Sequence, residues 1–354
     1  MESSATRAPL RILAVGDSYM PSRYFRDAFA VLEGAHDVRC ADVADVPPPA
    51  VPTDSERKLR EFQGSPSALA ASMDGVDVLV VHGAPVTDAV LDASPALKLV
   101  CCARGGPVNI DVEAMTERGL PLVIAPGRNA EAVADLTLAF LVMLARGMPK
   151  ALRFLDAGGR LKDNWEGARF IGSDLRGHAL GLVGFGNVGH RVARRARAFG
   201  MRVLAYDPYV RAAGDGVEPV RELDELLARA DFVSLHARAT PENAHLFDAD
   251  RFARMKPGAC FVNTARESLV DEAALDAALA SGRLGGAALD VVHTGDAPGR
   301  HPLLRHENVV MTPHIGGATR ETLAEGAEML AGEIARFAAG EPLVNVVNAV
   351  GALR

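Results

Sequence analysis

Short apolar runs recur along the chain, and each is bounded by glycine, proline or charged residues. The first third contains four of them: LRILAVG (10–16), VDVLVVHG (76–83), LKLVCCA (97–103) and PLVIAPG (121–127). Each run has the length of a strand and lacks the alternation of a strand with one face in water. Segments with helical spacing of apolar residues separate the runs. Buried strands that alternate with helices predict a parallel sheet covered by helices on both faces.

The same rhythm begins again after residue 177. Six further runs follow: HALGLVGFG (178–186), MRVLAYD (201–207), ADFVSLHA (230–237), ACFVNTA (259–265), GGAALDVV (285–292) and NVVMTPH (308–314). Strands and helices in this order predict a second doubly wound sheet. The last helical segment (321–340) and the tail LVNVVNA (343–349) are expected to return to the first sheet. We therefore predict an α/β fold of two Rossmann-like domains, in which the second domain interrupts the first.

Two segments stand apart from this alternation. The stretch NAEAVADLTLAFLVMLARG (129–147) predicts a long helix that begins at Asn129 as its N-cap. Because this helix is apolar on more than one face, it is either deeply buried or covered by another subunit, and we favour the second interpretation. Residues 45–67 are rich in proline, glycine and charge, and predict a loop or an inserted flap with a short helix around ERKLREF (56–62).

Charge and composition exclude several classes of function. The chain of 354 residues has a net charge of −7 and no basic block, which argues against binding to nucleic acid or to a membrane surface. The longest apolar stretch, LAFLVMLA (138–145), is too short to cross a bilayer. The four cysteines have neither disulfide nor metal-binding spacing, so we predict no metal site. The N-terminus lacks an apolar signal segment. Together with the four cysteines, this favours a cytoplasmic location.

A glycine pattern marks the start of the second domain. Gly184, Gly186 and Gly189 follow an apolar run and open a helical segment, and Asp207 ends the next run 18 residues after Gly189. In this context the first glycine allows a tight turn, the second lets the backbone approach a pyrophosphate, and the third lets the helix pack on the strand. The helix N-terminus favours phosphate, and the acid accepts hydrogen bonds from ribose hydroxyls. The pattern predicts NAD rather than NADP, although a tight turn without ligand has the same glycines.

Charged side chains follow the predicted strands, where ligands of open parallel sheets bind. Arg266 follows FVNTA and His314 follows NVVMTP. An arginine fork binds a carboxylate, and a histidine exchanges a proton with an alcohol near neutral pH. Either residue alone is also consistent with an ordinary surface position. Beside an NAD site they predict hydride transfer on a hydroxy or oxo acid. His236 and Ala237 are candidates to line the nicotinamide pocket. Arg104 is a candidate to bind an additional anionic group of the substrate.

Together these motifs resemble the D-isomer-specific 2-hydroxyacid dehydrogenases of the phosphoglycerate dehydrogenase-like group. The matching segments, in family order, are NAEAVADLTLAFLVMLAR, LRGHALGLVGFGNVG, AYDPY, FVNTARESLVDEAAL, GGAALDVV and ENVVMTPHIGGAT. The resemblance implies a flavodoxin-like substrate domain of residues 1–124 and 313–354, and an NAD-binding domain of residues 125–312 inserted into it. It also implies a cleft between the domains and a homodimer built mainly through the NAD-binding domain.

The resemblance further implies a set of site residues by motif position. Arg266 and His314 match the catalytic arginine and histidine of the family. The implied cofactor-binding residues are Gly184, Gly186, Asn187, Val188, Gly189, Asp207, His236, Ala237, Thr264, Ala265, Arg266, Asp290, His314, Gly316 and Gly317. The implied substrate-binding residues, which would meet the substrate carboxylate, are Gly83, Ala84, Arg104, Gly105 and Gly106.

One expected residue is missing. The family has a glutamate five residues after the acid at position 290, which hydrogen-bonds the catalytic histidine, but this chain has Gly295 there. Asp296 is the immediate neighbour and is one methylene shorter. Either Asp296 approaches His314 and restores the pair, or His314 acts alone with proton transfer weakened about tenfold to a thousandfold. His293 is a more remote candidate for the same role.

The leading hypothesis is an NAD-dependent oxidoreductase that interconverts a small D-2-hydroxy acid and its 2-oxo acid. Arg104 and Arg238 hint at a polyhydroxylated or phosphorylated acid. The alternative is an NAD(H)-sensing binding module with weak or no turnover, like the corepressors that share this fold. The missing glutamate motivates this alternative, whereas the presence of both Arg266 and His314 argues against it.

Overall fold

The chain divides into two compact units. The computed structural model describes residues 8–44, 52–160, 164–210, 214, 216–293 and 300–348. The first unit is Met1–Arg128 with Thr319–Arg354, and the second unit is Asn129–Ala318. The predicted domain boundaries lie at 124/125 and 312/313, a few residues from the divisions at 128/129 and 318/319.

Twelve strands occur in the described part of the chain. They are β1 (Arg11–Gly16), β2 (Asp37–Asp42), β3 (Val78–Val81), β4 (Leu99–Cys102), β5 (Leu122–Ile124), β6 (Ala179–Val183), β7 (Arg202–Tyr206), β8 (Glu218–Pro219), β9 (Phe232–Leu235), β10 (Ala259–Asn263), β11 (Leu284–Leu289) and β12 (Val309–Met311). All ladders between them are parallel.

The same part of the chain contains twelve α-helices. They are α1 (Arg23–Phe29), α2 (Asp54–Arg57), α3 (Pro66–Ala70), α4 (Asp88–Asp92), α5 (Val112–Glu117), α6 (Ala130–Ala145), α7 (Met148–Asp156), α8 (Asn187–Ala198), α9 (Leu223–Arg229), α10 (Ala249–Arg254), α11 (Glu272–Ala280) and α12 (Arg320–Ala339). Short 3-10 turns occur at Asn164–Phe170, Pro241–Asn243, Glu267–Leu269 and Pro302–Arg305.

The first unit is a five-stranded sheet in the order β2-β1-β3-β4-β5. This is the flavodoxin-like order, which confirms the predicted fold class. The four apolar runs form β1, β3, β4 and β5. The edge strand β2 was not predicted, because DVRCAD has charged residues at positions that lie exposed along the sheet edge.

The C-terminal segment completes the first unit. Helix α12 packs with α1 over the sheet, and Leu330 and Ile334 are buried beside Phe25 and Phe29. The tail then pairs antiparallel with β5 through Val123 and Val346. The buried carboxylate of Glu333 fixes the path of this tail toward β5. The predicted return of the last helix to the first sheet is therefore what the structure shows.

The second unit is a seven-stranded sheet in the order β12-β11-β10-β9-β6-β7-β8. The six apolar runs predicted here form six of its strands, and the two-residue edge strand β8 was not predicted. Helix α6 lies against this sheet and α8, and Phe140 and Leu141 are fully buried. The second unit itself therefore covers much of α6, the helix that we expected another subunit to cover.

Exposed apolar side chains lie instead on the following helix, α7. Met148, Leu152 and Leu155 are 39%, 48% and 57% exposed. Their spacing places them on one face of the helix. On the opposite side, Arg153 donates to the carbonyl oxygens of Leu304 and Val309, both at 2.9 Å, and holds α7 against the unit.

The short helix predicted at 56–62 is wrong in position. Helix α2 begins at Asp54 and ends at Arg57, because Thr53 accepts from the N–H of Glu56 and the Glu56 side chain accepts from Thr53 in return. This capping box starts the helix earlier than the apolar spacing suggested.

In the residues that the structure describes, no single helix is long and apolar enough to cross a membrane. The pair α6 and α7 meets that criterion only when the two are counted together, and they are bent by 73° at their junction.

Replacing Glu333 tests the closure of the first unit. Its carboxylate is 3% exposed and accepts from the N–H groups of Val344 and Asn345, both at 3.1 Å. Because Glu333→Ala leaves these donors without an acceptor, we expect the free energy of unfolding to fall by about 1–3 kcal/mol in urea titrations. Glu328→Ala, on the exposed face of the same helix, is the control and should change it by less than about 0.5 kcal/mol. Equal effects of the two variants would contradict the role of Glu333.

Candidate active site

The register of the second sheet aligns the ends of six strands. In the order of the sheet, the paired residues are Met311, Leu289, Asn263, Leu235, Val183 and Tyr206. Gly184, Asp207, His236, Arg266, Asp290 and His314 each follow one of these residues within three positions. The candidates therefore share the carboxyl edge of the sheet, where neighbouring strands are about 4.8 Å apart.

The glycine turn after β6 is built for close approach. Gly184 has φ of 96°, and a Cβ there would lie 2.5 Å from the backbone N of Ala237. A Cβ on Gly189 would lie 2.5 Å from the carbonyl oxygen of Gly184, which is why the helix packs closely on the turn. By contrast, nothing lies within 4 Å of a Cβ on Gly186. This open space lies at the N-terminus of α8, where the N–H groups of Asn187 and Val188 favour an anion.

Asp207 follows β7 and braces the same turn. One carboxylate oxygen accepts from the N–H of Phe185 at 2.8 Å, and the other accepts from the N–H of Tyr209 at 2.9 Å. These bonds fix the carboxylate beside the glycine turn. Each carboxylate oxygen has two lone pairs, so both retain acceptor capacity for ribose hydroxyls.

His236 follows β9 and is held neutral. Its Nε2 lies 2.9 Å from Ser234 Oγ and its Nδ1 lies 3.5 Å from Thr264 Oγ1. Burial lowers the pKa of His236 from 6.5 to about 3. Thr264 in turn contacts Thr137 Oγ1 at 3.3 Å. A neutral imidazole in this chain of hydroxyl groups can exchange hydrogen bonds but carries no charge toward a bound ligand.

Arg266 is presented by a turn after β10 that Asn263 organises. The buried Asn263 amide accepts from the N–H of Ala265 at 2.9 Å and donates to the carbonyl oxygen of Arg266 at 3.0 Å. The Arg266 side chain is exposed, and its Nη1 donates to the carbonyl oxygen of Ala265 at 2.6 Å. The remaining guanidinium N–H groups are available for a carboxylate. Asn263 was not predicted, although it stands at the polar end of an otherwise apolar run.

The loop that carries His314 is anchored by Asp290. This carboxylate, 3% exposed, accepts from Thr312 Oγ1 at 2.6 Å, the N–H of Ile315 at 2.8 Å and the N–H of Gly316 at 2.7 Å. The N–H of His314 donates to the carbonyl oxygen of Asp290 at 3.0 Å. Three acceptor positions of the predicted cofactor-binding Asp290 are therefore used to hold this loop.

His314 adopts a backbone conformation that is uncommon for histidine. Its φ is 56°, in the left-handed region that residues other than glycine seldom occupy. Gly316 must remain small, since a Cβ there would lie 2.7 Å from Asp290 Oδ2, and at Gly317 it would lie 3.0 Å from Asn129 Nδ2. The hydrogen bonds of Asp290 compensate for this strain, and the His314 side chain is exposed.

The candidate partners of His314 are only partly within the described residues. Gly295 and Asp296 lie outside them. In the part that is described, no carboxylate lies within 4.0 Å of the His314 imidazole. The other candidate, His293, is described, and its N–H donates to Glu272 at 2.7 Å. The structure therefore places no acid beside His314 among the residues that it describes.

The first unit holds the predicted substrate loops, at the ends of β3 and β4. The predicted role of Gly83 needs correction, because its N–H donates to Asp17 Oδ2 at 2.7 Å and is not available to a substrate carboxylate. Within the described residues, the N–H groups of Ala84, Gly105 and Gly106 donate to no protein acceptor. Nothing lies within 4 Å of a Cβ on Gly106. The Gly106 donor therefore borders open space that suits an anion.

Arg104 is bound by a neighbouring segment. Its Nη1 donates to the carbonyl oxygen of Glu61 at 2.9 Å, and its Nη2 donates to the Glu61 carboxylate. Glu61 has φ of 50°, another left-handed position. The predicted additional cation is therefore present at the loop but has a carboxylate partner.

Comparison with known proteins identifies the family. Residues 138–316 match the protein family described as "D-isomer specific 2-hydroxyacid dehydrogenase, NAD binding domain". A D-3-phosphoglycerate dehydrogenase from Methanocaldococcus jannaschii is 40% identical over 284 residues, which are 79% of this chain and 53% of that protein. A glyoxylate reductase from Korarchaeum cryptofilum is 41% identical over 75% of this chain and 80% of its own length.

Solved structures agree with the sequence comparison. A D-lactate dehydrogenase from Aquifex aeolicus, complexed with NAD and lactic acid, superposes with a TM-score of 0.68 at 25% identity, over 94% of this chain and 96% of that one. The chain spans about half the length of the curated phosphoglycerate dehydrogenases that it matches. The glycine turn, Asp207 and the Arg266 and His314 loops all lie within the second unit, which the family match covers almost completely. This chain belongs to the D-isomer-specific 2-hydroxyacid dehydrogenases, and its second unit is their NAD-binding domain.

Proposed function

We propose that this protein is an NAD-dependent dehydrogenase that interconverts a small D-2-hydroxy acid and the corresponding 2-oxo acid. The observation that supports this most directly is the shared strand edge, which presents an exposed guanidinium and an exposed imidazole on the same sheet as the glycine turn. Relatives named as phosphoglycerate dehydrogenase, glyoxylate reductase and D-lactate dehydrogenase support the same reaction class.

Each group has a defined task in this proposal. NADH supplies the hydride when it is bound. Arg266 binds the acid and withdraws electron density from the carbonyl group through its free N–H groups. His314 gives a proton to the carbonyl oxygen during reduction and takes it back during oxidation. The N–H groups of Ala84, Gly105 and Gly106 hold the substrate carboxylate.

The cofactor preference is proposed from the acid at the glycine turn. The Asp207 carboxylate lies where a 2′-phosphate would meet a like charge, so NAD is preferred over NADP. The neutral His236 is proposed to line the nicotinamide side together with Ala237 and Thr264. It can meet the uncharged carboxamide without placing a second cation beside a positively charged nicotinamide.

We also propose a homodimer and a cytoplasmic location. The exposed row of Met148, Leu152 and Leu155 on α7 supports a second copy as its cover, because contiguous apolar surface of this kind marks an interface. Ile171 of the same unit is also exposed, at 82%. The four free cysteines support a reducing compartment.

Turnover is the first test. Purified protein with NADH and a panel of 2-oxo acids should lose NADH absorbance. Arg266→Met and His314→Gln should each lower kcat/KM by about a hundredfold or more, because each removes a group that acts on the reacting carbonyl. Arg254→Met is the matched control, since Arg254 pairs with Asp224 at 3.3 Å on the surface.

The outcomes of this test separate the two functions considered above. Tight NADH binding without turnover on any acid would favour an NAD(H)-sensing module instead. Asp296→Asn decides the question of the missing glutamate. A loss of about tenfold or more in kcat/KM identifies Asp296 as the partner of His314, and an unchanged value shows that His314 acts alone.

Loosening the Asp290 anchor should impair catalysis with little loss of cofactor affinity. Thr312→Val removes one of the hydrogen bonds that hold the His314 loop, and we expect kcat to fall about tenfold while the dissociation constant for NADH stays within about twofold. Asp290→Asn disturbs the two backbone bonds as well and should lower kcat further. Ser281→Ala, which removes a hydroxyl remote from the strand edge, is the control. Unchanged kcat in Thr312→Val would show that the anchor is not needed for catalysis.

Charges on the exposed face of α7 should separate the dimer. With Leu152→Glu and Leu155→Glu together, we expect the mass measured by light scattering to fall to that of one 37.3 kDa chain. The two carboxylates would be buried without partners if the copies stayed together. Val31→Glu, at a position 79% exposed in the first unit, is the control. A wild-type protein that already has the mass of one chain would refute the dimer.

A further inference from the structure

A segment of the first unit that the proposed reaction does not use connects the ends of two neighbouring strands. We call this segment, residues 60–63, the strap. The N–H of Arg60 donates to the carbonyl oxygen of Val108 at 2.7 Å, and the N–H of Gln63 donates to the carbonyl oxygen of Gly83 at 2.9 Å. These acceptors lie in the loops after β4 and β3, which are neighbours in the sheet. The strap therefore joins the two loops that contain the predicted substrate-binding residues.

Both ends of the strap are fixed within the same unit. The residue before it, Leu59, is buried. At the other end, the Gln63 side chain accepts from the N–H of Ser18 at 3.2 Å and from its hydroxyl at 2.9 Å, which ties the strap to the loop after β1. The next residue is Gly64, where a Cβ would lie 2.8 Å from Val43 Cβ. The path of the strap is thus set by contacts that lie entirely in the first unit.

The middle of the strap is fastened by one guanidinium. Arg104 Nη1 donates to the carbonyl oxygen of Glu61 at 2.9 Å, and Nη2 donates to the Glu61 carboxylate. The Arg104 side chain is 21% exposed, so water screens this pair less than a pair on the open surface. Glu61 has φ of 50°, which is unfavourable for a residue other than glycine. The two bonds from Arg104 compensate for this local strain.

The strap consequently holds both ends of the loop that contains Gly105 and Gly106. Arg104 begins this loop and is bonded to the middle of the strap, whereas Val108, at its far end, is bonded to the start of the strap. Within the described residues, the N–H groups of the two glycines donate to no protein acceptor. Because glycine restricts its own backbone least, the direction of these N–H groups depends on how the ends of the loop are held.

We propose that Glu61 is a positioning residue for substrate binding, which acts through Arg104 to fix the loop whose N–H groups hold the substrate carboxylate. The inference rests on the function proposed above. In this role Arg104 does not bind a second anionic group of the substrate, because Glu61 already takes up its charge and two of its N–H groups. The contribution of Glu61 is therefore the same for every 2-oxo acid, whatever group the acid has at its other end.

Replacing Glu61 by glycine isolates the carboxylate. Glycine accepts the left-handed conformation and keeps the carbonyl oxygen that binds Arg104, so Glu61→Gly removes only the side-chain bond. For each 2-oxo acid that the wild type reduces, we expect KM to rise about tenfold while kcat stays within about threefold, since binding is lost rather than chemistry. The dissociation constant for NADH, which binds to the second unit, should stay within about twofold. Glu61→Gln, which keeps an acceptor, should restore part of the wild-type KM.

Arg104→Met removes both bonds and should raise KM at least as much as Glu61→Gly. Because the two residues act as one contact, the double variant should have the KM of Arg104→Met alone. The acids compared are pyruvate, 2-oxoglutarate and phosphohydroxypyruvate, which differ in the charge of the remote group. Glu113→Gln is the control, because Glu113 is another exposed carboxylate of this unit and pairs with Lys58 at 3.0 Å. Its KM should stay within about twofold of the wild type.

Two kinetic results would overturn the proposal. The first is an unchanged KM in both Glu61→Gly and Arg104→Met. The second is an effect limited to the acids with a second anionic group, with Glu61→Gly binding them more tightly and Arg104→Met more weakly. That result would make Arg104 a ligand of the substrate and Glu61 the group that masks it.

Hydrogen exchange tests the fastening of the strap without turnover. In Glu61→Gly, we expect peptides that cover residues 58–64 to exchange at least about tenfold faster than in the wild type, whereas peptides of β3 exchange at the same rate. Unchanged exchange in 58–64 would refute the role of Glu61. Equally faster exchange in β3 would show only a general loss of stability and would also refute it. Faster exchange confined to the strap, in a protein that reduces no 2-oxo acid, would support the fastening by Glu61 and refute only the proposed function.

Discussion

The candidate site depends on one constraint, the parallel register that ends six neighbouring strands in one row. Because every ladder is parallel, each strand delivers the residue after it to the same edge. Only this register brings to one edge five residues that are far apart in sequence: Gly184, Asp207, His236, Arg266 and His314. A shift of one residue in any strand would turn its apolar side chains and displace the group that it presents.

At that edge, buried polar side chains convert approximate placement into defined geometry. Asn263 ties the turn of Arg266, and Asp290 ties the loop of His314. Neither acts on the substrate in the proposed reaction. The same principle operates in the first unit, where Asp17 fixes the tautomer of His82 and His82 orients Arg128. In each case a satisfied buried group holds an exposed or charged group that keeps free hydrogen-bonding capacity.

The sequence predicted most of this architecture, and the reasons for its failures are physical. Apolar runs report strands buried on both faces, so ten strands and the glycine turn were accessible from composition and spacing. The edge strand β2 was not, because its exposed side carries charge. Helix α6 appeared to need an external cover, but its own sheet and α8 supply much of it. The bonds of Asp17 to His82 and Gly83, and of His82 to Arg128, were not predictable because they join residues between 46 and 66 positions apart, and no local pattern encodes them.

The return of α12 to the first unit has a consequence for synthesis on the ribosome. The 190 residues from 129 to 318 emerge between the sheet of the first unit and the helix that covers it. Until that helix is made, Phe25 and Phe29 lack part of their apolar cover. The second unit, which is continuous in sequence, is therefore expected to become compact on the nascent chain first, while the earlier-made sheet awaits its last helix.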